Sequence, residues 1–224
     1  MSAQISNLIK TRHSSKNNNS SVFTDIYQNN VNIAIWQRDF EHDFTSATQS
    51  ILAMQPNLQI QIIVSASNVK DALNDHFAKL ECEHSLLNQL IDDIAYLVDM
   101  FCCLFDLKRT GLRLSALDQA MCPKFHVDKV PCRLVTTYTG IATQWLEHNT
   151  IDRTKLGHAS KGLTDEQSNL YTSATDIQQL KAGDVALLKG ESWTDNEGAG
   201  LVHRSPALNT GERRMLLTLD FMVD

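Results

Sequence analysis

Two histidines and one aspartate are the residues of this 224-residue chain whose types and spacing could support catalysis. His126 and Asp128 form a His-x-Asp pair, and His203 follows much further along the chain. Two imidazoles and one carboxylate can bind one face of a divalent iron ion and leave the opposite face open for a co-substrate and dioxygen. We therefore predict that these three residues are the metal ligands and the catalytic centre.

Two consecutive arginines follow the second histidine. Arg213 and Arg214 lie ten and eleven residues after His203. A guanidinium group can hold a carboxylate through two parallel hydrogen bonds, which suits a dicarboxylate co-substrate. Successive residues of a strand point to opposite faces, so only one of the two arginines faces the site. We favour Arg214, which shares its face with Thr218, because the face of Arg213 continues into apolar residues that fit packing under helices.

The segment that follows the His-x-Asp pair supplies further candidates for contacts to a co-substrate or substrate. Arg133, Thr136 and Tyr138 are polar residues of this segment, and Trp193 is a candidate for the wall of the pocket. Tyr138 and Trp193 fit packing in the core equally well, since aromatic side chains dominate core contacts. The plainer interpretation of the His-x-Asp pair is that both residues are exposed polar positions of a strand.

Two of the five cysteines lie close in sequence to the proposed ligands. Cys122 precedes His126 by four residues, and Cys132 follows Asp128 by four. Because thiolates favour zinc over catalytic iron(II), a closed zinc centre of Cys122, His126, Cys132 and His203 is an alternative. It predicts a non-catalytic zinc- or iron-binding protein. In a third alternative, a zinc hydrolase, the two histidines and Asp128 hold a zinc ion whose bound water is the nucleophile.

The composition limits the class of protein. The chain has 42% hydrophobic residues, enough for a normal core, and a net charge of -6 with a pI near 5.7. It therefore has no overall basic field for nucleic acid or anionic lipid, and no apolar stretch of membrane-spanning length. An odd number of cysteines without a regular framework fits a reducing compartment. We expect a cytoplasmic protein whose unknown substrate is a small molecule or a protein.

The N-terminal half has mostly helical patterns. Residues 1–25 are rich in Asn, Ser and Gln, which predicts a mobile arm, and residues 26–224 predict a single domain. In its helical part, about 26–110, apolar residues recur every three or four positions over 85–105, the strongest helix pattern of the chain. Alternating patterns predict strands at 31–38 and 58–64, with a helix at 43–54 between them.

The remaining part, about residues 111–224, changes to short β-rich segments separated by Gly, Pro, Asp or Asn turns. The polar segment 147–180 interrupts them and predicts a loop or lid at one end of the sheets. Helices followed by short strands predict an α+β fold, a β-sandwich or jelly roll with helices on its outer face. The predicted strands lie at residues 111–117, 132–139, 184–189, 200–204 and 213–221.

The order of the motifs resembles that of the iron(II) and 2-oxoglutarate dependent oxygenases. It runs from His-x-Asp through the Gly-Asp turn of LKAGDVALLKG to the second histidine and to Gly-x-Arg-Arg in the last strand. The resemblance implies a double-stranded β-helix with iron(II) at its open end, bound by His126, Asp128 and His203. It further implies that Arg214, or else Arg213, binds the far carboxylate of 2-oxoglutarate while a second substrate is hydroxylated.

Nearly the whole chain after about residue 25 also resembles the bacterial DUF1826 family. The likeness lies in CPKFHVDKVPCRLVTTYTGIATQWL, KGESW and VHRSPALNTGERRMLLTLD. This narrower resemblance implies no activity by itself. It keeps a link to metal homeostasis open as the alternative to an oxygenase.

Overall fold

Two β-sheets form the framework of the protein. The computed structural model describes residues 11–40, 42–78, 84–157 and 162–222. Within these residues the strands are β1 (His13–Asn17), β2 (Val31–Trp36), β3 (Gln59–Val64), β4 (Thr110–Leu117), β5 (Cys132–Thr139), β6 (Gln144–Leu146), β7 (Ile177–Gln179), β8 (Val185–Lys189), β9 (Val202–Arg204) and β10 (Arg214–Phe221). The larger sheet has the order β1-β2-β8-β5-β10-β4-β3, and the smaller sheet has the order β7-β6-β9.

The chain alternates between the two sheets from β4 onward. β4 lies in the larger sheet, His126 then bridges to β9 in the smaller sheet, and β5 returns to the larger one. β6 and β7 lie in the smaller sheet, and β8, β9 and β10 alternate again. Neighbouring strands in this part of the fold are antiparallel. The fold is therefore α+β with a jelly roll, as the sequence pattern and the resemblance predict.

Apolar side chains fill the space between the two sheets. Val135, Leu188 and Leu216 of the larger sheet form one buried cluster with Trp145 of the smaller sheet and with Leu201. Burying these side chains between the sheets removes apolar area from water and fixes the distance between the sheets. The space left at one end of this layer contains the candidate site.

Helices cover the opposite face of the larger sheet. Leu134, Leu187 and Leu217 of that face pack in one buried cluster with apolar residues of all three helices. In the described residues, none of the helices combines the length and the apolar composition that crossing a membrane requires. The three helices are α1 (His42–Met54), α2 (Val69–Phe77) and α3 (His84–Phe105).

Most of the predicted elements lie within two residues of their observed positions, and four of the described strands and α-helices were not predicted, namely β1, α2, β6 and β7. Helix α2 is nine residues long and buries only Val69, Leu73 and Phe77, so its apolar spacing is brief. Strands β6 and β7 have three residues each, too few to show alternation. The larger sheet also includes β2 and β3. The predicted division at residue 110 into a helical part and a β part therefore does not match the layers of the fold.

The segment before β2 is structured where the structure describes it. Strand β1 pairs in parallel with β2, and a 3-10 helix at Ser20–Tyr27 buries Val22, Phe23 and Ile26. The mobile arm predicted for residues 1–25 is therefore wrong for this described part, and its first ten residues lie outside the described chain. Three apolar residues on one side of a short helix are enough to dock it, although the average composition is polar.

The polar segment 147–180 also contains structure. Ile151 and Tyr171 form an isolated antiparallel bridge, and the last residues of the segment form β7. Arg153 donates a hydrogen bond of 2.9 Å to Glu191 Oε1, in the turn after β8. In its described residues, the predicted loop thus contacts the jelly roll at several points.

We expect Phe23→Ala to lower the free energy of unfolding by roughly 3–5 kcal/mol, because it removes a buried aromatic ring. Phe23 is only 4% exposed and packs edge-on against Trp36. Urea unfolding followed by circular dichroism measures the change. The matched control is Thr24→Ala on the exposed side of the same helix, with an expected change within about 0.5 kcal/mol. Equal midpoints for both variants would show that this segment is not part of the cooperative core.

Candidate metal centre

A backbone contact brings the two predicted histidine ligands together. The N–H of His126 donates to the carbonyl of His203, and the N–H of His203 donates back to the carbonyl of His126, each at 3.0 Å. Residues paired in this way across antiparallel strands project their side chains from the same face. The imidazole centroids accordingly lie 4.6 Å apart.

The third predicted ligand, Asp128, lies beside both imidazoles. Its Oδ1 is 3.7 Å from His126 Nε2, and its Oδ2 is 3.4 Å from His203 Nε2. The three residues each offer a ligand atom, and these atoms all lie within 4.8 Å of one another. Because such donors bind a transition metal at about 2 Å, three donors at this separation can reach a single ion.

Hydrogen bonds to the backbone orient both imidazoles. His126 Nδ1 lies 3.0 Å from the carbonyl of Lys124, and His203 Nδ1 lies 3.3 Å from the carbonyl of Leu201. An Nδ1–H that donates to a carbonyl leaves the lone pair of Nε2 available for a metal. Burial lowers the pKa of His203 to about 4, against the opposing effect of Asp128, so this imidazole is neutral at pH 7.

Arg133 positions the carboxylate ligand. Its Nη1 donates to Asp128 Oδ2 at 2.8 Å, and its Nε and Nη2 donate to Asp220 at 2.7 and 3.1 Å. All three nitrogens of the guanidinium are therefore engaged with carboxylates. The predicted role of Arg133 in binding a co-substrate or substrate changes to that of holding Asp128 in place.

A pocket extends from the two histidines into the space between the sheets. It encloses about 540 Å³, including the part that is open to solvent. Its lining contains four arginines and, among the described residues, no glutamate or aspartate. The arginines are Arg113, Arg133, Arg204 and Arg214.

Arg214 is the most deeply buried of these arginines. Its side chain lies in the pocket wall with 1% of the residue exposed. Nη1 reaches only the carbonyl of Ile141 at 3.4 Å, and Nε has no hydrogen-bond partner among the described residues. Burial lowers the pKa of Arg214 to about 10, so the group stays charged at neutral pH. A buried charge without a counter-ion is unfavourable, which suits a site that receives an anion.

The structure separates Arg213 from this pocket. Arg213 points to the opposite face of β10, where Nη1 donates to the carbonyl of Pro56. Thr218, four residues after Arg214 on the same face, does line the pocket, and its buried hydroxyl has no partner among the described residues. Of the two neighbouring arginines, only Arg214 is placed to meet a ligand of the metal centre.

Three other predicted site residues do not reach the pocket. The hydroxyl of Tyr138 donates to Asp93 Oδ2 at 2.7 Å on the helix-covered face of β5. Thr136 alternates with Tyr138 and lies on that same face. Trp193 packs edge-on against Phe105 in the helix-side core. The predictions for Thr136 and Tyr138 are wrong because both faces of β5 are buried, and alternation alone does not tell which buried face is the pocket. The prediction for Trp193 is wrong because its ring packs in the helix-side core instead.

The cysteines do not assemble a zinc centre. Cys122 is exposed at the pocket, whereas Cys132 is fully buried in the helix-side core. Burial raises the pKa of the Cys132 thiol, which opposes the thiolate that zinc requires. In the described residues, the group that could hold a metal contains His126, Asp128 and His203 and no cysteine.

The sequence-based prediction did not include two arginines of the pocket, Arg204 and Arg113. Arg204 donates to Gln144 Oε1 at 2.8 Å and to Asp165 Oδ2 at 3.2 Å, which fixes it beside β9. Arg113 is half-buried on β4. A signal for Arg113 exists in the segment GLRLSAL, where Arg113 and Ser115 alternate with leucines that face the helices. An arginine is rarely found on a strand that is buried on both faces, so this pattern could have marked Arg113 as a candidate site residue.

Comparison with solved structures supports the jelly roll. A dioxygenase for auxin oxidation from rice superposes with a TM-score of 0.52 at 7% identity, covering 95% of this chain and 83% of that one. A prolyl-4-hydroxylase from Pseudomonas putida has a TM-score of 0.44 at 10% identity, with 91% and 98% covered. HygX from Streptomyces hygroscopicus, with nickel and 2-oxoglutarate bound, has a TM-score of 0.43 at 9% identity, with 90% and 85% covered. The shared fold rests on the rice protein, which has the highest of these scores.

Sequence comparison gives the family. No curated protein matches the sequence of this chain. A family model matches residues 17–220, a span that includes His126, Asp128, His203 and Arg214. The chain therefore belongs to DUF1826, a family described as proteins of unknown function.

Proposed function

We propose that the protein is a non-haem iron(II) and 2-oxoglutarate dependent oxygenase that hydroxylates an organic substrate. The observation that carries this proposal is that two imidazoles, with the carboxylate of Asp128 beside them, share a pocket with a buried arginine that has no counter-ion among the described residues. This donor set fits iron(II) and leaves positions for further ligands. When bound, iron couples oxidative decarboxylation of 2-oxoglutarate to oxidation of the second substrate.

The charge distribution of the pocket fits a dicarboxylate. One carboxylate and the neighbouring keto oxygen of 2-oxoglutarate suit the metal end, and the far carboxylate suits the guanidinium of Arg214. Because Arg214 is buried, its hydrogen bonds to a carboxylate are shielded from competing water and are correspondingly strong. Val135, Leu188 and Leu216 make part of the same pocket wall apolar.

The two zinc alternatives fit the pocket less well. A closed zinc site needs a fourth protein ligand, and Cys132 lies in the other core layer. A zinc hydrolase needs a general base beside the metal-bound water. The described residues that line the pocket include no carboxylate that could supply one. A simple metal-binding role, finally, gives no reason for the buried charge of Arg214.

The fold of the rice dioxygenase agrees with the proposal. That protein carries its described activity, auxin oxidation, on a fold shared over most of both chains. At 7% identity the likeness concerns the fold and not the substrate. The proposal therefore depends chiefly on the His126, Asp128, His203 and Arg214 arrangement.

The position of Asp128 depends on close contact with the turn after β8. The N–H of Glu191 donates to the carbonyl of Asp128, and the N–H of Gly190 donates to the carbonyl of Pro131, both at 2.9 Å. A Cβ on residue 190 would lie 2.0 Å from the carbonyl oxygen of Val130 and 2.9 Å from that of Asp128. Only glycine lets the two loops approach this closely.

We expect anaerobic addition of iron(II) and 2-oxoglutarate to the purified chain to produce a visible charge-transfer absorption. His126→Ala should abolish this band, because it removes one of three ligands. The control is His76→Ala, which changes an exposed histidine of α2 and should leave the band intact. Iron that binds stoichiometrically by elemental analysis without any band on addition of 2-oxoglutarate would refute an oxygenase.

We expect Arg214→Gln to weaken 2-oxoglutarate binding by about 10- to 100-fold, since hydrogen bonds to charged groups contribute roughly 1.5–3 kcal/mol. Iron binding should be unchanged, because Arg214 does not contact the three ligands. Titration of the charge-transfer band measures the affinity. Arg213→Gln, on the opposite face of β10, is the matched control and should change that affinity less than twofold. An equal loss in both variants would contradict the proposed assignment.

We expect Gly190→Ala to weaken metal binding by about 10- to 100-fold, the range typical when the groups that orient a ligand are disturbed. The added methyl group must displace the loop that carries Asp128. Calorimetric titration with nickel(II) measures the affinity. Gly198→Ala in the same turn meets no atom within 4 Å and adopts a left-handed conformation, so it should cost stability without changing metal affinity. Unchanged nickel affinity in Gly190→Ala would show that this contact does not position Asp128.

A further inference from the structure

One guanidinium of the pocket is left without a role by the proposed function. Arg133 is neutralised by Asp128 and Asp220, and Arg204 by Asp165. Arg214 is assigned to the far carboxylate of 2-oxoglutarate. The guanidinium of Arg113 makes no hydrogen bond or ion pair with any described residue, although it lines the same pocket.

The strand register places Arg113 nearer to the metal end than Arg214. On β10, Arg214 lies six residues from Asp220, and Thr218 lies two residues from it, which corresponds to roughly 20 and 7 Å of extended strand. Asp220 is the partner of Arg133, which holds the ligand Asp128. Arg113 pairs directly with Thr218 across β4 and β10, so it lies near the metal end of the sheet.

Arg113 and Thr218 together form a place for an oxyanion. Directly opposed residues on antiparallel strands have Cβ atoms about 4.5–5.5 Å apart, so both side chains can reach one group. The hydroxyl of Thr218 is buried, with the residue 7% exposed, and has no partner among the described residues. A free guanidinium and a free hydroxyl side by side on a pocket wall supply donors that a carboxylate or phosphate would satisfy.

Arg214 and Arg113 differ in their exposure to solvent, and this difference indicates which of them suits the co-substrate and which suits the substrate. Arg214 is buried at the far end of the pocket, whereas Arg113 is half-buried and also borders an open groove along β3 and β4. A co-substrate anchor benefits from exclusion of water, but a substrate must enter and its product must leave. The net charge of the chain is -6, so this local excess of positive charge is not a property of the whole surface.

We propose that Arg113 and Thr218 bind an anionic group, a carboxylate or a phosphate, of the substrate that is hydroxylated. The inference rests on the proposed function, because that function assigns Arg214 to 2-oxoglutarate. It narrows the substrate to molecules that carry an oxyanion. The distance between that oxyanion and the reacting carbon is then no greater than the length of the pocket. It also reassigns Thr218, which the sequence associates with the co-substrate, to the substrate.

The test uses the full chain loaded with nickel(II), which replaces iron without turnover, and saturated with 2-oxoglutarate. Inorganic phosphate and acetate are titrated separately by calorimetry, and the tighter of the two identifies the class of oxyanion. We expect one equivalent to bind. Arg113→Gln should weaken this binding at least tenfold while 2-oxoglutarate affinity changes less than twofold. Thr218→Val should weaken it by about 2- to 10-fold, the effect of one lost hydrogen bond.

Lys70→Gln is the control. It removes an exposed positive charge on helix α2, outside the pocket lining, so the affinities for the anion and for 2-oxoglutarate should not change. The proposal is overturned if neither anion binds saturably, or if Arg113→Gln leaves anion binding unchanged. It is also overturned if Arg113→Gln weakens 2-oxoglutarate as strongly as Arg214→Gln does, since Arg113 would then be a co-substrate anchor.

Failure of the proposed function gives a different result. In that case the nickel-loaded chain does not bind 2-oxoglutarate at all. Phosphate titration of the metal-free Arg214→Gln variant then tests the subsite by itself, because Arg113 is the free guanidinium that remains in the described pocket lining. Binding that is lost in the double variant Arg113→Gln/Arg214→Gln supports the subsite, and binding that persists refutes it.

Discussion

The candidate site depends on one backbone contact, the reciprocal hydrogen bonds between His126 and His203. These bonds join residues far apart in sequence and set both imidazoles on one face of the smaller sheet. The smaller sheet has strands of only three residues, and its apolar face packs in the layer that Trp145 and Leu216 share with the larger sheet. The candidate metal ligands are therefore preorganised only when the jelly roll is closed, and under the proposed function metal binding should in turn stabilise the closed fold.

Charge pairing separates the structural arginines of the pocket from those available to ligands. Arg133 and Arg204 are bound to carboxylates of the protein, and their donors hold Asp128 and strand β9 in position. Arg113 and Arg214 have no such carboxylate among the described residues. Because an unpaired buried charge costs stability, its presence argues for a compensating gain in binding. The arginines of one cavity thus fall into two groups, those paired with carboxylates of the protein and those without such a partner among the described residues.

Alternation along strands predicted much of the architecture and only part of the pocket. It separated Arg214 from Arg213 correctly in space, because their neighbours on β10 differ in polarity. It failed for Tyr138, since β5 is buried on both faces and its helix-side core contains a polar pair with Asp93. The partners of Arg133 could not be foreseen either. Asp220 lies 87 residues away, and a single sequence contains no signal for such a contact.

Asp165 shows how the polar segment before β7 takes part in the site. Its Oδ2 accepts hydrogen bonds from the N–H of Phe125 at 2.9 Å and from Arg204 at 3.2 Å. Phe125 and Arg204 are the immediate sequence neighbours of the two candidate histidine ligands. A single carboxylate, 7% exposed, therefore joins both chain segments of the candidate metal centre to a segment that composition alone indicated was a loop. Changes in that segment can reach the candidate metal ligands through two hydrogen bonds, so variation in the segment can adjust the pocket without altering His126, Asp128 or His203.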